Sequence, residues 1–233
     1  MIKKYKAFTL MEMLISLMVI GVALAILGKT VGGSFAKNAL YEGFKGAYKG
    51  LDQATLVIIQ QNRGSLVNVF INDNTMMNIY CNQMQCLHTC YPGQGQNTCF
   101  DDTTSSWTDL NYSAGWQDRT NHARAILGNG DLVLFNAISS NCTDSSYVYN
   151  SKNINCGSLY VDVNGFNPPN AEGRDIFEFE VTNLGIMPAG VINAVNNISP
   201  WTAANSTCNP GSTSTANGSG CGGRLLMDGS MDY

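Results

Sequence analysis

Residues 8–27 read FTLMEMLISLMVIGVALAIL, twenty residues with one charged side chain, Glu12, and Lys3, Lys4 and Lys6 stand just ahead of them. Wound as an α-helix at about 1.5 Å per residue, the stretch spans about 30 Å, the hydrocarbon thickness of a bilayer. The lysines hold the N-terminal side in the cytoplasm by the positive-inside rule, so a single pass is expected with the rest of the chain outside. Two kinds of export segment share that layout. In a secretory signal peptide, Ala23-Leu24-Ala25 is a small-x-small cleavage site and the mature chain begins at Ile26. In the other kind the apolar helix is kept. Glu12 bears on the choice, because a carboxylate in the apolar phase costs about 2–3 kcal/mol and a signal peptide has no use for it. An ionisable residue in such a place points to a function and a partner.

The junction Lys6-Ala7-Phe8-Thr9-Leu10-Met11-Glu12 resembles the processing site of type IV pilins and type II secretion pseudopilins. The resemblance implies a seven-residue leader, cut by a prepilin peptidase after a small residue, usually Gly and here Ala7. It implies N-methylation of the new terminus, Phe8, and a fifth mature residue that is Glu, here Glu12. It also implies that a subunit's Glu12 meets the terminal amine of its neighbour, so that each charge relieves the other in the apolar phase. The partners implied are other pilin subunits, the peptidase, an inner-membrane assembly platform and, before assembly, membrane lipid. The implied location is the bacterial inner membrane, then a periplasmic or cell-surface filament. One feature departs from the family: the helix-kinking Pro common in type IVa pilins is absent, Lys29 standing there, and the first Pro is Pro92. Gly28, Gly32 and Gly33 lie nearby and loosen a helix by about 1 kcal/mol each relative to Ala.

Past the glycine pair the spacing turns amphipathic. Leu40, Phe44, Tyr48, Leu51, Thr55 and Ile58 recur at three and four, while Lys37, Glu42, Lys45 and Lys49 fall mostly off that face. Arg63-Gly64 reads as the stop. Joined to the apolar half, this predicts a helix of up to 55 residues, Phe8 to Asn62, about 80 Å long. The alternative is two helices hinged at Gly32-Gly33. The organisation expected is a leader at 1–7, a membrane and assembly half at 8–30, an amphipathic half at 31–63 and a β-rich head at 64–233.

Within the head, Leu66–Ile71 (LVNVFI) reads as a first strand. Ala125–Leu127 and Leu132–Phe135 flank Gly128-Asn129-Gly130-Asp131, a hairpin signal. Ser158–Val163 and Ile176–Val181 form another pair, and IFEFEV places Phe177, Phe179 and Val181 on one face and Glu178 and Glu180 on the other. Residues 82–124, 139–157 and 196–223 read as polar loops. The fold class expected is α+β: a long helix packed on an antiparallel sheet, with disulfide-stapled loops. Asp162-Val163-Asn164-Gly165, Pro169-Asn170, Gly173 and Arg174-Asp175-Ile176-Phe177 look like a connection in some bacterial pilin-type heads.

Composition agrees with an exported protein. Charged residues are 13% of the 233, against about a quarter in ordinary soluble domains, and a net charge of −4 gives no electrostatic basis for general nucleic-acid binding. Cys81, Cys86, Cys90, Cys99, Cys142, Cys156, Cys208 and Cys221 make an even count, expected as four disulfides outside the cytoplasm. Local closure favours Cys142 with Cys156 and Cys208 with Cys221, leaving Cys81 to Cys99 to pair among themselves. A zinc reading of those four with His88 lacks two close pairs.

Other chemistry is sparse. Asp162, Asn164 and Asp175 bring hard oxygens around a glycine turn, as calcium requires, and type II pseudopilins are similar in using a head-loop calcium. The alternative is that these residues form Asx turns and pair with backbone N–H groups or Arg174. His122 has no serine elbow nearby, and Gly218–Gly223 lacks the Lys-Ser/Thr of a phosphate loop. Trp107, Tyr112 and Trp116 are expected as a small loop core or a contact surface. The expectation is a filament subunit, a minor pilin, and not an enzyme; a pseudopilin or a secreted disulfide-rich domain cleaved after Ala25 are the alternatives.

Overall fold

The computed structural model describes residues 10–94, 98–99, 107–113, 119–149, 152–191, 206–214 and 216–233. Two compact units divide the chain, Met1–Ala39 and Leu40–Tyr233, and helix α1 (Leu10–Gln61) contributes to both. In the first unit Met11, Met13, Leu17, Met18 and Val19 are 62% to 74% exposed. Among the described residues no helix is long and apolar enough to cross a membrane. Of the apolar run at 8–27 on which the membrane expectation rests, residues 8 and 9 and the side chains at 10, 12, 14–16 and 20–27 lie outside the described residues.

The second unit is built on the amphipathic stripe. Phe44, Leu51, Thr55 and Ile58 are buried as their spacing predicts, Ala47 and Ala54 join them, and Leu40 and Tyr48 sit half-buried at the margin. Phe44 carries the packing: its ring centroid lies 4.9 Å from that of Phe177 and 5.7 Å from that of Phe179. Thr55, polar on an apolar face, is satisfied: its hydroxyl donates to Leu51 O at 2.7 Å and lies 2.7 Å from Tyr80 Oη. The helix stops where expected. Arg63 and Gly64 take positive φ, and Gly64 N donates to Ile59 O at 2.8 Å, the six-to-one bond of a Schellman stop.

Leu66–Ile71 is not a strand. Asn68 adopts φ 63° and its N–H donates to Ser140 O, so the run folds into a turn that sinks Leu66 and Phe70 into the core. Helix α2 (Asp73–Gln83) follows, started by a reciprocal capping box in which Asn72 Oδ1 accepts from Thr75 N and Thr75 Oγ1 accepts from Asn72 N, both at 2.9 Å. Met76, Met77 and Tyr80 are its buried face.

The strands are β1 (Cys86–Cys90), β2 (Ala123–Leu127), β3 (Leu132–Ala137), β4 (Asp144–Tyr149), β5 (Lys152–Asp162), β6 (Ile176–Thr182) and β7 (Gly185–Pro188). They form one antiparallel sheet in the order β1-β2-β3-β5-β6-β7, with β4 paired to the first part of β5. The predicted hairpin is β2–β3. Its positive φ sits at Gly130, 93°, with Leu127 N donating to Asp131 O and Gly130 N to Leu127 O. The predicted pair β5–β6 runs in register from Gly157↔Val181 to Asp162↔Ile176. Phe177, Phe179 and Val181 face the main core, where the rings of Phe177 and Phe179 meet Phe44 of α1.

Three loop expectations are corrected. Residues 82–124 contain β1, a 3-10 turn (Arg119–Asn121) and the start of β2; residues 139–157 contain β4 and the first half of β5; and helix α3 (Cys221–Asp228) begins inside 196–223. CLHTC, DSSYVY and KNINC are polar, so pairing and cross-links rather than apolar alternation define them. Of these loop readings, residues 95–97, 100–106, 114–118, 150–151, 196–205 and 215 lie outside the described residues. The sheet's second face holds a smaller cluster of Trp107, Leu132, Leu134 and Ile176. Trp107 is buried there, Tyr112 is 61% exposed, and Trp116 lies outside the described residues.

Candidate functional site

Four disulfides pin the irregular parts of the head. Cys81–Cys86 ties the end of α2 to β1, and Cys90–Cys99 holds the segment leaving that edge strand. Cys142–Cys156 closes the β3–β4 connection onto β5, and Cys208–Cys221 fastens the 206–214 segment to α3. Closing loops of this size stabilises a fold by about 2–3 kcal/mol each. His88 lies beside Cys90 and Cys99, with ligand atoms within 4.8 Å of one another. Both sulfurs are spent on the disulfide, so no zinc-type ligand set stands there.

Asp162, Asn164 and Asp175 come together, and the sequence reading missed two neighbours, Asp131 and Asn170. Asp175 Oδ1 accepts from Ala171 N at 2.7 Å and Oδ2 from Asn170 N at 2.8 Å, which organises the turn before β6. Asp162 Oδ1 accepts from Asn164 N at 3.2 Å, an Asx turn. The Asn170 amide nitrogen faces Asn167 O at 2.9 Å and Asp162 Oδ2 at 3.3 Å in the orientation that satisfies both its ends. Burial, and then the charges of Asp175 and Asp131, hold the Asp162 carboxyl well above its usual range. Burial also raises Asp175, against the pull of its backbone N–H donors. Asn164 Oδ1 is buried with no hydrogen-bond partner among the described residues. Arg174, next to this cluster in sequence, donates instead to Tyr233 O at 2.8 Å, and Tyr233 is flanked by the guanidinium groups of Arg174 and Arg224.

Other acids are structural. His122 Nδ1 lies 2.7 Å from Asp73 Oδ2, and Asp73 Oδ1 accepts from Ala137 N at 2.7 Å, joining the α2 N-terminus to the sheet. Glu178 accepts from Tyr160 Oη at 2.9 Å and is pushed up to about 7 by burial. Glu180 is fully buried, with neither carboxylate oxygen hydrogen-bonded among the described residues, and burial alone raises it well above the usual range. Trp107 Nε1 donates to Glu172 Oε1 at 2.8 Å. Among the described residues, this geometry does not bring a nucleophile, a base and an orienting acid together.

Ala7 and Phe8 lie outside the described residues; Glu12 sits on the α1 backbone, its side chain outside them. Residues 2–28 match the family described as the prokaryotic N-terminal methylation motif. The chain carries a prepilin-type N-terminus, that of type IV pilins and pseudopilins. No curated protein and no solved structure matches the chain. The prepilin-type motif covers Ala7, Phe8 and Glu12, and it marks a type IV pilin-like or pseudopilin protein in general terms. Such proteins are membrane-anchored first and then assemble with other pilin subunits after meeting a prepilin peptidase. The prepilin-type segment ends at Gly28, so the match says nothing of the head that follows.

Proposed function

We propose that the protein is a type IV pilin-like filament subunit, a minor pilin with a disulfide-stapled head. The observation that carries this reading is the prepilin-type motif at residues 2–28, with its lysines, apolar run and lone acid in sequence. A prepilin peptidase cuts between Ala7 and Phe8, and Phe8 is N-methylated. The helix then runs on from Phe8 through the amphipathic stripe, holding the subunit in the inner membrane, N-terminus inside, until assembly extracts it. In the apolar phase an unpaired amine and an unpaired carboxylate are both costly, so Glu12 of an incoming subunit pairs with the Phe8 amine of its neighbour and sets the stagger. The size of the head supports a minor subunit over a bulk one. The test is Glu12→Val expressed in the native host. The variant enters the membrane and is processed, yet is missing from sheared filaments; normal incorporation would refute the assembly role.

Calcium at Asp162, Asn164 and Asp175 belongs to the same proposal. Its support is donor chemistry: two buried carboxylates and Asn164 Oδ1, which has no hydrogen-bond partner among the described residues, are hard oxygens, and a cation would offset the crowding of negative charge around Asp162. Chelator then lowers the melting temperature. A melting temperature unchanged by chelator, with no calcium by elemental analysis, removes the ion and leaves the Asx-turn geometry as the full account.

A further inference from the structure

A hollow of about 420 Å³ opens between the tip of the β2–β3 hairpin and the 163–167 turn. Gly165 makes this junction: its φ is 70°, and a Cβ there would stand 3.0 Å from Gly130 O, so the two loops touch only because the position is glycine. Around the hollow stand Asn129, Asp131, Asn164, Asn167 and the ring of Phe166, which is 47% exposed.

We propose that this hollow binds a neutral carbohydrate, a pyranose whose apolar face lies on the Phe166 ring. The argument is one of chemistry. No cationic side chain lines the hollow among the described residues, so it offers nothing to a phosphate or carboxylate ligand. An apolar ligand would strip water from three amides and a carboxylate without replacing the lost hydrogen bonds. A sugar ring satisfies both surfaces, with C–H groups for the negative face of the aromatic and hydroxyls that donate and accept. Those hydroxyls find partners. Asn129 Nδ2 donates to Asp131 Oδ2 at 2.7 Å, which steadies the carboxylate and leaves Asp131 Oδ1 without a hydrogen bond among the described residues. Asn167 is exposed, and its Nδ2 donates to Asn164 O at 2.7 Å. Each amide nitrogen keeps a second hydrogen. This site does not depend on the filament reading, since it lies wholly within the head.

The test is saturation-transfer NMR on the full chain in a detergent without a sugar headgroup. The probes are methyl glycosides of glucose, galactose, mannose, fucose, N-acetylglucosamine and N-acetylgalactosamine, each at about 10 mM, against an expected Kd on the order of 1 mM. At least one glycoside receives transfer, Phe166→Ala and Asn167→Ala each weaken it about tenfold, and Tyr112→Ala, another exposed aromatic, leaves it unchanged. Asn167 lies on an exposed turn, so its variant reports on binding even where Phe166→Ala disturbs folding. No transfer to any of the six glycosides, or transfer that both hollow variants leave intact, overturns the proposal.

Discussion

Replacing Phe44 by Ala tests whether the second half of α1 is part of the head's core or only lies alongside it. The Phe44 side chain is 1% exposed, its ring meets Phe177 and Phe179, and its Cε2 lies 3.5 Å from where a Cβ on Gly222 of α3 would stand. Truncating a buried Phe costs about 3–5 kcal/mol through lost transfer energy and the cavity left behind, and loss of the two ring pairs places this site in the upper half of that range. A loss of about 4 kcal/mol is a large share of the stability of an ordinary domain. The assay is urea unfolding of Leu40–Tyr233, which forms a compact unit with its own core. With a slope near 2 kcal/mol/M the midpoint falls by about 2 M at unchanged slope. Lys45→Ala is the control: Lys45 is exposed and makes an i,i+3 pair with Glu42 at 2.7 Å, a pair that solvent screens, so its removal leaves the midpoint almost unchanged. A Phe44→Ala loss below about 1 kcal/mol, no larger than the control, would refute the packing argument.

Three further outcomes follow from named contacts. Burial raises the carboxyls of Glu178 (to about 7), Asp131 (to about 6) and Glu180 in the folded head. A raised folded value means stability that is complete below the unfolded value and lost as pH rises through the folded one, so the melting temperature falls from mildly acidic pH to above pH ~7. Glu178→Gln flattens the part of that fall up to about pH 7, and a melting temperature that instead rises with pH contradicts it. Gly157→Ala drives a Cβ into Asn136 O on the neighbouring strand, closer than a real Cβ can stand; the expected loss is about 2 kcal/mol or more by chemical denaturation, and a neutral variant would mean β3 and β5 are not so closely paired. Replacing Cys142 and Cys156 together by Ser lowers stability by about 2–4 kcal/mol, while the mass of the wild-type chain under non-reducing peptide mapping shows the 142–156 link; a different partner for Cys142 contradicts the pairing.

The parts of the head legible in sequence are those where one periodicity has one use. The three-and-four spacing from Leu40 to Ile58 buries as a stripe, IFEFEV alternates into the core, and the Gly-rich tetrapeptide at 128–131 closes a hairpin. The misreadings come from residues whose context overrides their type. LVNVFI has strand composition, but Asn68 tolerates positive φ and turns the run inward. Asn72 and Thr75 spell a capping box three residues apart, the signal that would have found α2. CLHTC carries few apolar residues because an edge strand buries little and is held by cross-links at both ends. The Asp162 cluster was half legible: Asn164 and Asp175 lie near it in sequence, whereas Asp131 arrives from a separate hairpin through strand pairing that no local pattern encodes.

The central claim is prepilin processing, and the most direct measurement is the intact mass and N-terminal sequence of the protein from membranes of its own host. The account predicts a chain that begins at N-methylated Phe8. A chain that begins at Ile26, stripped of Glu12 and the apolar helix, would contradict it and leave an ordinary exported disulfide-rich head.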